Sequence, residues 1–257
     1  MTRRYWPNSV MASAEPIRKI GIVLHKTPVK EADAMVNCIG EQGRFSFYAK
    51  GVRKAKSKNA FSLSELTLGD FSCVLSSNGL LSLREAYGKE NYLKDDNFDA
   101  IAAENFLCEL TTRIFSEEEG EGGSFYPFLK EGLSEIKKGF DPLTIAFLCL
   151  CKALKDTGYG LEVDCCVRCK GKKHINALSF VDGGFVCSSC YGQGVDSQED
   201  AYLLKMYRYG FRYEKEDIAK VAFDKNFAIA GLIELEKYYA DSFGYHLKSL
   251  QFLIENS

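Results

Sequence analysis

The sequence predicts an α+β protein of more than one domain, in which a small N-terminal β-barrel precedes an α-helical domain that carries a four-cysteine, zinc-ribbon-like hairpin. Three observations predict this fold class. Short strand-like runs follow one another up to residue 92, the apolar spacing then becomes helical, and two Cys-x2-Cys pairs interrupt the helical half. The expected divisions are an extension over residues 1–16, a barrel over 17–92, and a helical domain over 93–257 whose cysteine insert spans about 161–194.

The barrel is predicted by five runs of strand character, separated by residues that favour turns. The runs cover residues 20–24, 34–39, 44–49, 70–75 and 80–86. An Asn78-Gly79 hairpin turn joins the last two. Five strands in about 70 residues suit a closed barrel of the OB type, because closure removes the sheet edges, although an SH3-like barrel fits the same count. In the third run Phe45 and Phe47 share one face and are expected in the core, with Tyr48 outside.

The helical half is predicted from apolar residues spaced three and four apart. The expected helices cover residues 97–115, 141–155, 198–209, 226–239 and 245–255. Asp141 is suited to cap the second of these helices, because its carboxylate can accept hydrogen bonds from the free backbone N–H groups. Pro142 fits the first turn of the same helix. The glutamate- and glycine-rich run 117–123 is expected to be a solvated connection.

The cysteine pattern predicts a metal site. Cys166-x2-Cys169 is followed after seventeen residues by Cys187-x2-Cys190, and two short strands with a glycine-rich turn lie between the pairs. Four thiolates would saturate a tetrahedral Zn²⁺ ion and leave no position for an activated water. We therefore expect a structural zinc ion rather than a catalytic one.

Two other residues are possible zinc ligands from sequence alone. Cys165 could replace Cys166 with a Cys-x3-Cys spacing, and His174 follows the first pair, but the equal spacing of the two Cys-x2-Cys pairs favours Cys166. The remaining cysteines lie singly in apolar runs and are expected to be small core residues. They are Cys38, Cys73, Cys108, Cys149 and Cys151.

The composition predicts a globular cytoplasmic protein. Hydrophobic residues make up 46% of the chain, which is enough for real cores, but no apolar run approaches the roughly 18 residues that span a bilayer. The formal net charge of −2 is unevenly divided: residues 1–92 hold 14 Lys and Arg against 8 Asp and Glu, a net +6, and the rest hold 19 against 27, a net −8. This asymmetry indicates that the first domain meets a polyanion.

The strongest candidate for polyanion binding is a lysine-rich run that leaves the third strand. The residues expected to contact phosphates are Arg44, Lys50, Arg53, Lys54, Lys56 and Lys58. A solvated loop with lysines for solubility is the alternative, but basic loops beside strand-borne aromatics are typical of OB barrels that bind nucleic acid.

Catalytic motifs are absent from the sequence. It contains no phosphate-binding P-loop, no Gly-x-Ser-x-Gly elbow and no His-Glu-x2-His helix, and none of His25, His174 and His246 supplies a deaminase motif. The sequence therefore favours a protein that is not an enzyme. A nucleic-acid-modifying enzyme with structural zinc and a protein-binding zinc adaptor are the two alternatives.

The order of these parts resembles the RecO family of bacterial recombination mediators over nearly the full length. The matching pieces are Ile22-Val23-Leu24, Glu31-x-Asp33, Gly43, Ala49-Lys50-Gly51-Val52-Arg53-Lys54-x2-Ser57, Gly158-Tyr159-Gly160-Leu161 before Cys166-Val167-Arg168-Cys169, and Tyr239-x5-Tyr245-His246-Leu247-x-Ser249-x2-Phe252-Leu253. The resemblance implies an OB barrel, a helical domain and, in many members, a zinc site.

It also implies a function. A RecO-like chain is expected to bind single- and double-stranded DNA and to anneal complementary strands in the RecF pathway. With RecR as partner it would help to load RecA onto strands coated by single-stranded DNA-binding protein (SSB), whose C-terminal tail it would bind. Such work belongs to the cytoplasm, at the nucleoid.

Overall fold

The computed structural model describes residues 15–76, 79–93, 96–118 and 120–255. Its N-terminal part is a barrel of five strands, as the sequence predicts. They are β1 (Ile17–Pro28), β2 (Ala34–Gly40), β3 (Gly43–Ala49), β4 (Thr67–Leu75) and β5 (Leu81–Asn91). The residues before 15 lie outside the described residues, and so do Ser77 and Asn78 of the predicted hairpin turn. The backbone N–H of Gly79 donates to the Ser76 carbonyl at 2.9 Å beside that turn.

The barrel closes in the order β1-β2-β3-β5-β4. Neighbouring strands are antiparallel except β3 and β5, which run parallel and meet at Tyr48 and Ser82. This closed, OB-like barrel confirms the predicted fold class. Phe45 and Phe47 point into the barrel, where the rings of Phe47 and Phe71 lie 5.0 Å apart. The alternation of large apolar and polar residues along β3 therefore predicts its two faces correctly.

Strand β1 is buried on both faces over residues 21–24. Val23 points into the barrel core, whereas Ile22 and Leu24 pack outward against the helices. Ile39 and Leu68 from other strands join this outer cluster. A continuous apolar layer therefore joins the barrel to the helical region, and it fixes which side of the barrel remains exposed.

The helical region has six α-helices among the described residues. They are α1 (Phe98–Ile114), α2 (Tyr126–Lys138), α3 (Pro142–Asp156), α4 (Ala201–Arg212), α5 (Lys225–Phe243) and α6 (Lys248–Glu255). Helix α3 is apolar almost all round and lies at the centre, in contact with α1, α2, α4 and α5. None of these helices combines the length and apolar character that a membrane span requires.

Side-chain caps begin α1 and α3, and the cap at Asp141 is the one that the sequence predicts. The side chain of Asn97 accepts hydrogen bonds from the first backbone N–H groups of α1, and Asp141 accepts one from Thr144 in α3. The sequence prediction missed helix α2. The residue before it, Phe125, offers no side-chain cap, and Pro127 in the first turn resembles a break rather than a start.

The cysteine hairpin lies between α3 and α4. It consists of β6 (Ile175–Ser179) and β7 (Gly184–Cys187), which are antiparallel, and a short third strand, β8 (Ser197–Gln198), pairs with β6. The two predicted strands are therefore present. The third strand was not predicted, because two residues carry no recognisable alternation.

Helix α6 is held at its N-terminus by carboxylates from two other helices. Glu109 of α1 accepts hydrogen bonds from the Ser249 backbone N–H at 2.8 Å and from the Ser249 hydroxyl, and Glu236 of α5 accepts the Leu247 N–H at 2.9 Å. These bonds satisfy backbone donors that a helix cannot pair internally. They explain the physical role of the Leu247-Lys248-Ser249 segment.

Replacing Glu109 with alanine should lower the free energy of unfolding by about 1–2 kcal/mol, because the N-terminal donors of α6 lose their acceptor. Urea denaturation followed by circular dichroism measures this change. Glu31→Ala is the matched control, since Glu31 is exposed and its side chain contacts no described partner. Equal shifts in the two variants would contradict the capping role.

Candidate metal centre and nucleic-acid interface

Four cysteine side chains converge at one end of the β6–β7 hairpin. The Sγ atoms of Cys166, Cys169, Cys187 and Cys190 all lie within 4.8 Å of one another, and those of Cys169 and Cys187 are 3.7 Å apart. The four residues differ in exposure, from buried Cys166 to exposed Cys169. They form a set of four sulfur donors close enough to hold one metal ion.

Two backbone turns bring the cysteines together. In the first pair the Lys170 N–H donates to the Cys166 carbonyl at 2.8 Å, and Lys170 takes the left-handed conformation with φ of 60°. In the second pair the Cys190 N–H donates to the Cys187 carbonyl at 2.9 Å. Each turn points two sulfur atoms to the same side. The Cys-x2-Cys spacing therefore brings the two sulfur atoms of each pair together through local backbone structure.

The surroundings have opposite effects on the thiols of Cys166 and Cys190. Burial opposes ionisation of Cys166, but backbone N–H groups of Cys169, Cys187 and Arg168 outweigh it and lower its pKa to about 6. Hydrogen bonding to the other sulfur atoms, Cys169 first, raises the pKa of Cys190 to about 12. A divalent cation bound by the four sulfur atoms would displace the protons that remain on them.

Arg168, between the first two cysteines, ties the hairpin together. Its guanidinium donates to Asp182 at the β6–β7 turn, to the Cys190 carbonyl, and to both carboxylate oxygens of Asp196 at 2.6 and 2.7 Å. Asp196 is buried, and this hydrogen bond to Arg168 holds its pKa below the usual range. The sequence prediction did not single out this network, because its carboxylates lie 14 and 28 residues from Arg168.

The structure brings Cys166 into the cluster and leaves Cys165 and His174 out of the four-sulfur group. Cys165 lies beside Glu162, and burial together with this carboxylate raises its pKa. The His174 carbonyl instead accepts the Ser188 N–H at 2.9 Å, which fixes the start of the hairpin.

The five cysteines expected in cores are buried or half-buried. Cys38 and Cys73 line the barrel core, Cys149 and Cys151 lie in α3, and Cys108 packs against the helical core. Burial raises the pKa of each thiol, to about 11 for Cys73 and about 12 for Cys149. These groups are protonated, poorly reactive core residues at neutral pH.

The basic loop between β3 and β4 covers residues 50–66 and is held by Asp33. The buried Asp33 carboxylate accepts the Gly51 N–H at 2.7 Å and the Tyr48 hydroxyl, and these bonds lower its pKa, with the Tyr48 contribution the larger. The Arg53 backbone N–H donates to the Ala32 carbonyl at 2.9 Å. The loop is therefore anchored where it leaves the barrel.

The lysines of this loop point into solvent. Lys50, Lys54, Lys56 and Lys58 are exposed, and no described carboxylate lies within 4.0 Å of their ammonium groups. Arg53 is also exposed, but its guanidinium donates to the Lys30 and Glu31 carbonyls at 3.0 and 3.2 Å. The loop thus presents four uncompensated charges and one partly engaged arginine.

Arg44 occupies a different place from the other predicted phosphate contacts. Its side chain is 8% exposed, and its guanidinium donates to the Thr112 and Phe115 carbonyls at the end of α1. Glu117 lies 3.5 Å away. The Arg44 side chain joins the barrel to α1, and because its guanidinium already has protein acceptors, this contact argues against the predicted role in phosphate binding.

The acidic run after α1 is docked rather than freely solvated. The Glu117 carboxylate accepts the Ser46 hydroxyl at 2.7 Å, and the Glu121 carbonyl accepts the Arg44 backbone N–H at 3.0 Å. The described glutamates of this run are exposed, as expected for a solvated connection, but hydrogen bonds also hold the run against β3. The sequence gives no sign of this docking, because the partners lie about 75 residues earlier in the chain. A local sequence pattern does not show which distant segments the fold brings together.

The chain is thus an OB-like barrel with an exposed basic loop, joined to helices that carry a four-cysteine cluster, and barrels of the OB type commonly bind nucleic acid. Comparison with known families gives the particular family. The family model described as "Recombination protein O N terminal" matches residues 11–92, and the model described as "Recombination protein O C terminal" matches residues 96–251. The chain belongs to the RecO family of DNA repair and recombination proteins.

Individual relatives agree with the family match. The chain is 26% identical over 240 residues to the DNA repair protein RecO of Bacillus subtilis (strain 168), covering 91% of this chain and 92% of the relative. It is also 26% identical over 242 residues to the RecO proteins of Bacillus cereus (strain B4264) and Bacillus anthracis (strain CDC 684 / NRRL 3495), covering 91% of this chain and 94% of each relative.

If the cluster holds a metal ion, replacing Cys187 with serine should abolish stoichiometric metal binding and lower the free energy of unfolding by about 3–5 kcal/mol, because the ion would lose one of its four sulfur ligands. Elemental analysis of the purified chain and urea denaturation measure the two effects. Cys165→Ser is the matched control, since its sulfur lies outside the cluster and should change neither quantity. A native chain that is fully stable without bound metal would contradict the structural role.

Proposed function

We propose that this chain is a non-enzymatic recombination mediator. It binds single- and double-stranded DNA and anneals complementary strands. With RecR it helps to load RecA on DNA coated by SSB, whose C-terminal tail it contacts. Membership of the RecO family supports the coarse role in DNA repair, and the basic loop supports DNA contact.

The observation that carries the proposal is the set of uncompensated lysines on an anchored loop. Lys50, Lys54, Lys56 and Lys58 are exposed without a described carboxylate partner, whereas the start of their loop is fixed by Asp33. Phosphate contacts of this kind release condensed counterions and favour any DNA sequence. Arg53 completes the proposed set, since its guanidinium is exposed at the same loop. Sequence-independent binding is what annealing and strand loading require.

We further propose that the four-cysteine cluster holds Zn²⁺ in a structural role. Zinc–sulfur bonds of about 2.3 Å in a tetrahedron place the sulfur atoms about 3.8 Å apart. The separation of 3.7 Å between the Cys169 and Cys187 sulfur atoms supports this geometry. Thiolates select zinc over hard cations such as Mg²⁺, and four of them leave no open position for a reacting water.

A binding function also fits the location that we propose, which is the cytoplasm, at nucleoid DNA. The mediator would lower no chemical barrier. Its effect would come from exchanging contacts among DNA, SSB and RecR, so the reaction should need no nucleotide. The role of the helical region would be to display partner surfaces, with the zinc hairpin fixed on it.

Replacing Lys54, Lys56 and Lys58 with alanine in one triple variant should weaken the binding of duplex DNA of any sequence and flatten the salt dependence of that binding. Each lost phosphate contact should reduce the slope of log K against log salt by about 0.9. Fluorescence anisotropy at several salt concentrations measures the slope. A control triple variant, Lys130, Lys205 and Lys237 to alanine, removes the same charge from exposed sites on the helices. An unchanged slope in the loop variant, or an equal change in the control, would reject the loop as the interface.

Annealing of two complementary strands precoated with cognate SSB should accelerate when this chain is added without nucleotide. The loop triple variant should lose most of the acceleration, and the helical control should keep it. Strand pairing can be followed by energy transfer between dyes on the two strands. If the folded wild-type chain binds the SSB tail tightly but does not bind DNA and does not accelerate annealing, a protein-binding adaptor is the better assignment.

A further inference from the structure

A groove on the outer face of β1, β4 and β5 lies beside the basic loop. It has a volume of about 770 Å³, and Arg18, Ser72, Arg84 and Tyr87 line its strand side. Lys58 and Asn59 of the basic loop line its other side. The proposed phosphate-contacting loop therefore continues into a groove on the barrel surface.

Tyr87 is the most unusual residue of this groove. It is 72% exposed in the middle of β5, and it pairs in register with Asp70, whose side chain faces outward. The described part of the chain offers its hydroxyl no hydrogen bond. Because side chains alternate along a strand, the fold places this ring on the surface rather than in the core. The ring thus has a free face beside a cationic loop.

The charges that face the groove are mostly positive. Asp70 is matched by Arg18, whose Nε lies 2.8 Å from one carboxylate oxygen, and Lys89 is 3.9 Å away. The hydrogen bond from Arg18 lowers the pKa of Asp70, which keeps this pair ionised. Lys58 and Arg84 are exposed and have no described carboxylate within 4.0 Å, while Glu85 is the remaining acidic residue on the lining.

The position of the loop beside Tyr87 has a specific cause at Gly88. A Cβ atom at Gly88 would lie 3.1 Å from the Ser62 Cα atom and 3.3 Å from Thr67 Cγ2. The absence of a side chain at Gly88 lets the 58–62 part of the loop lie against β5 next to the exposed ring. This close approach makes the lysine and the aromatic ring parts of one surface.

We propose that this groove binds single-stranded DNA, with a base stacked on Tyr87 and the flanking phosphates held by Lys58 and Arg84. The inference rests on the proposed DNA-binding function and adds to it a site that selects unpaired strands. A base in a duplex is already stacked on its neighbours, whereas a single strand can place a free base on an aromatic ring. The loop lysines then contact both single-stranded and duplex DNA, whereas Tyr87 contacts single-stranded DNA alone.

The test compares Tyr87→Ala with Tyr87→Phe in the full chain, using an oligothymidine and a duplex as probes. Tyr87→Ala should weaken single-strand binding about 5- to 150-fold, the range for loss of one stacked base, with an unchanged salt slope. Duplex affinity should not change. Tyr87→Phe should keep single-strand affinity, because the ring and not the hydroxyl makes the contact.

Phe98→Ala is the matched control, since Phe98 is 75% exposed in the first turn of α1, outside the groove. It should change neither affinity. Lys58→Ala and Arg84→Ala should each reduce the single-strand salt slope by about 0.7. Urea midpoints close to that of the wild type show that each variant is folded.

Each result decides one question. If Tyr87→Ala leaves single-strand affinity unchanged while the wild-type chain binds DNA through the loop lysines, the proposed groove site is wrong. The proposed mediator function is then unaffected. Equal weakening of single-strand and duplex binding overturns stacking. A wild-type chain that binds neither probe overturns the groove and the proposed function together.

Discussion

Burial of β1 on both of its faces is the constraint on which the rest of the structure depends. Val23 completes the barrel core, while Ile22 and Leu24 complete the core that the barrel shares with the helices. A strand used in this way cannot rotate or slip, because a shift of one residue would exchange its two apolar sets. The barrel is therefore oriented, and its basic loop and the groove beside Tyr87 remain on the open side.

The cysteine hairpin solves a different problem, because its own core is very small. The cluster of buried residues around it contains only Cys166, Ala177, Val186 and Cys187 among the described residues. Leu178 and Phe185 of the hairpin pack instead into the helical core, so the end that carries the cysteines is the part with little apolar packing of its own. The network of Arg168 with Asp182 and Asp196 adds constraints at this end, and a metal ion held by the four converging sulfur atoms would link its segments further.

Three arginines of this chain have a structural role that the lysines of the basic loop do not share. The guanidinium groups of Arg18, Arg44 and Arg168 each form directed bonds to carboxylates or helix-end carbonyls. The loop lysines form none with described carboxylates. A planar fork with fixed donors suits structural bonds, whereas a hydrated ammonium on a long stem suits contacts with phosphates that move. The overall charge of −2 therefore says little about binding, since the position of each charge decides its use.

Sequence alone determined what depends on short spacings. The alternation in β3, the caps at Asn97 and Asp141, and the Cys-x2-Cys pairs each act within a few residues, so their structures follow from local chemistry. Only the tertiary structure decided that Arg44 binds the end of α1, that Glu109 caps α6, and that Tyr87 lies beside Lys58. These groups of residues lie from 29 to 140 positions apart in the chain. Which of them come close together is set by how the cores pack, and no local sequence pattern records that.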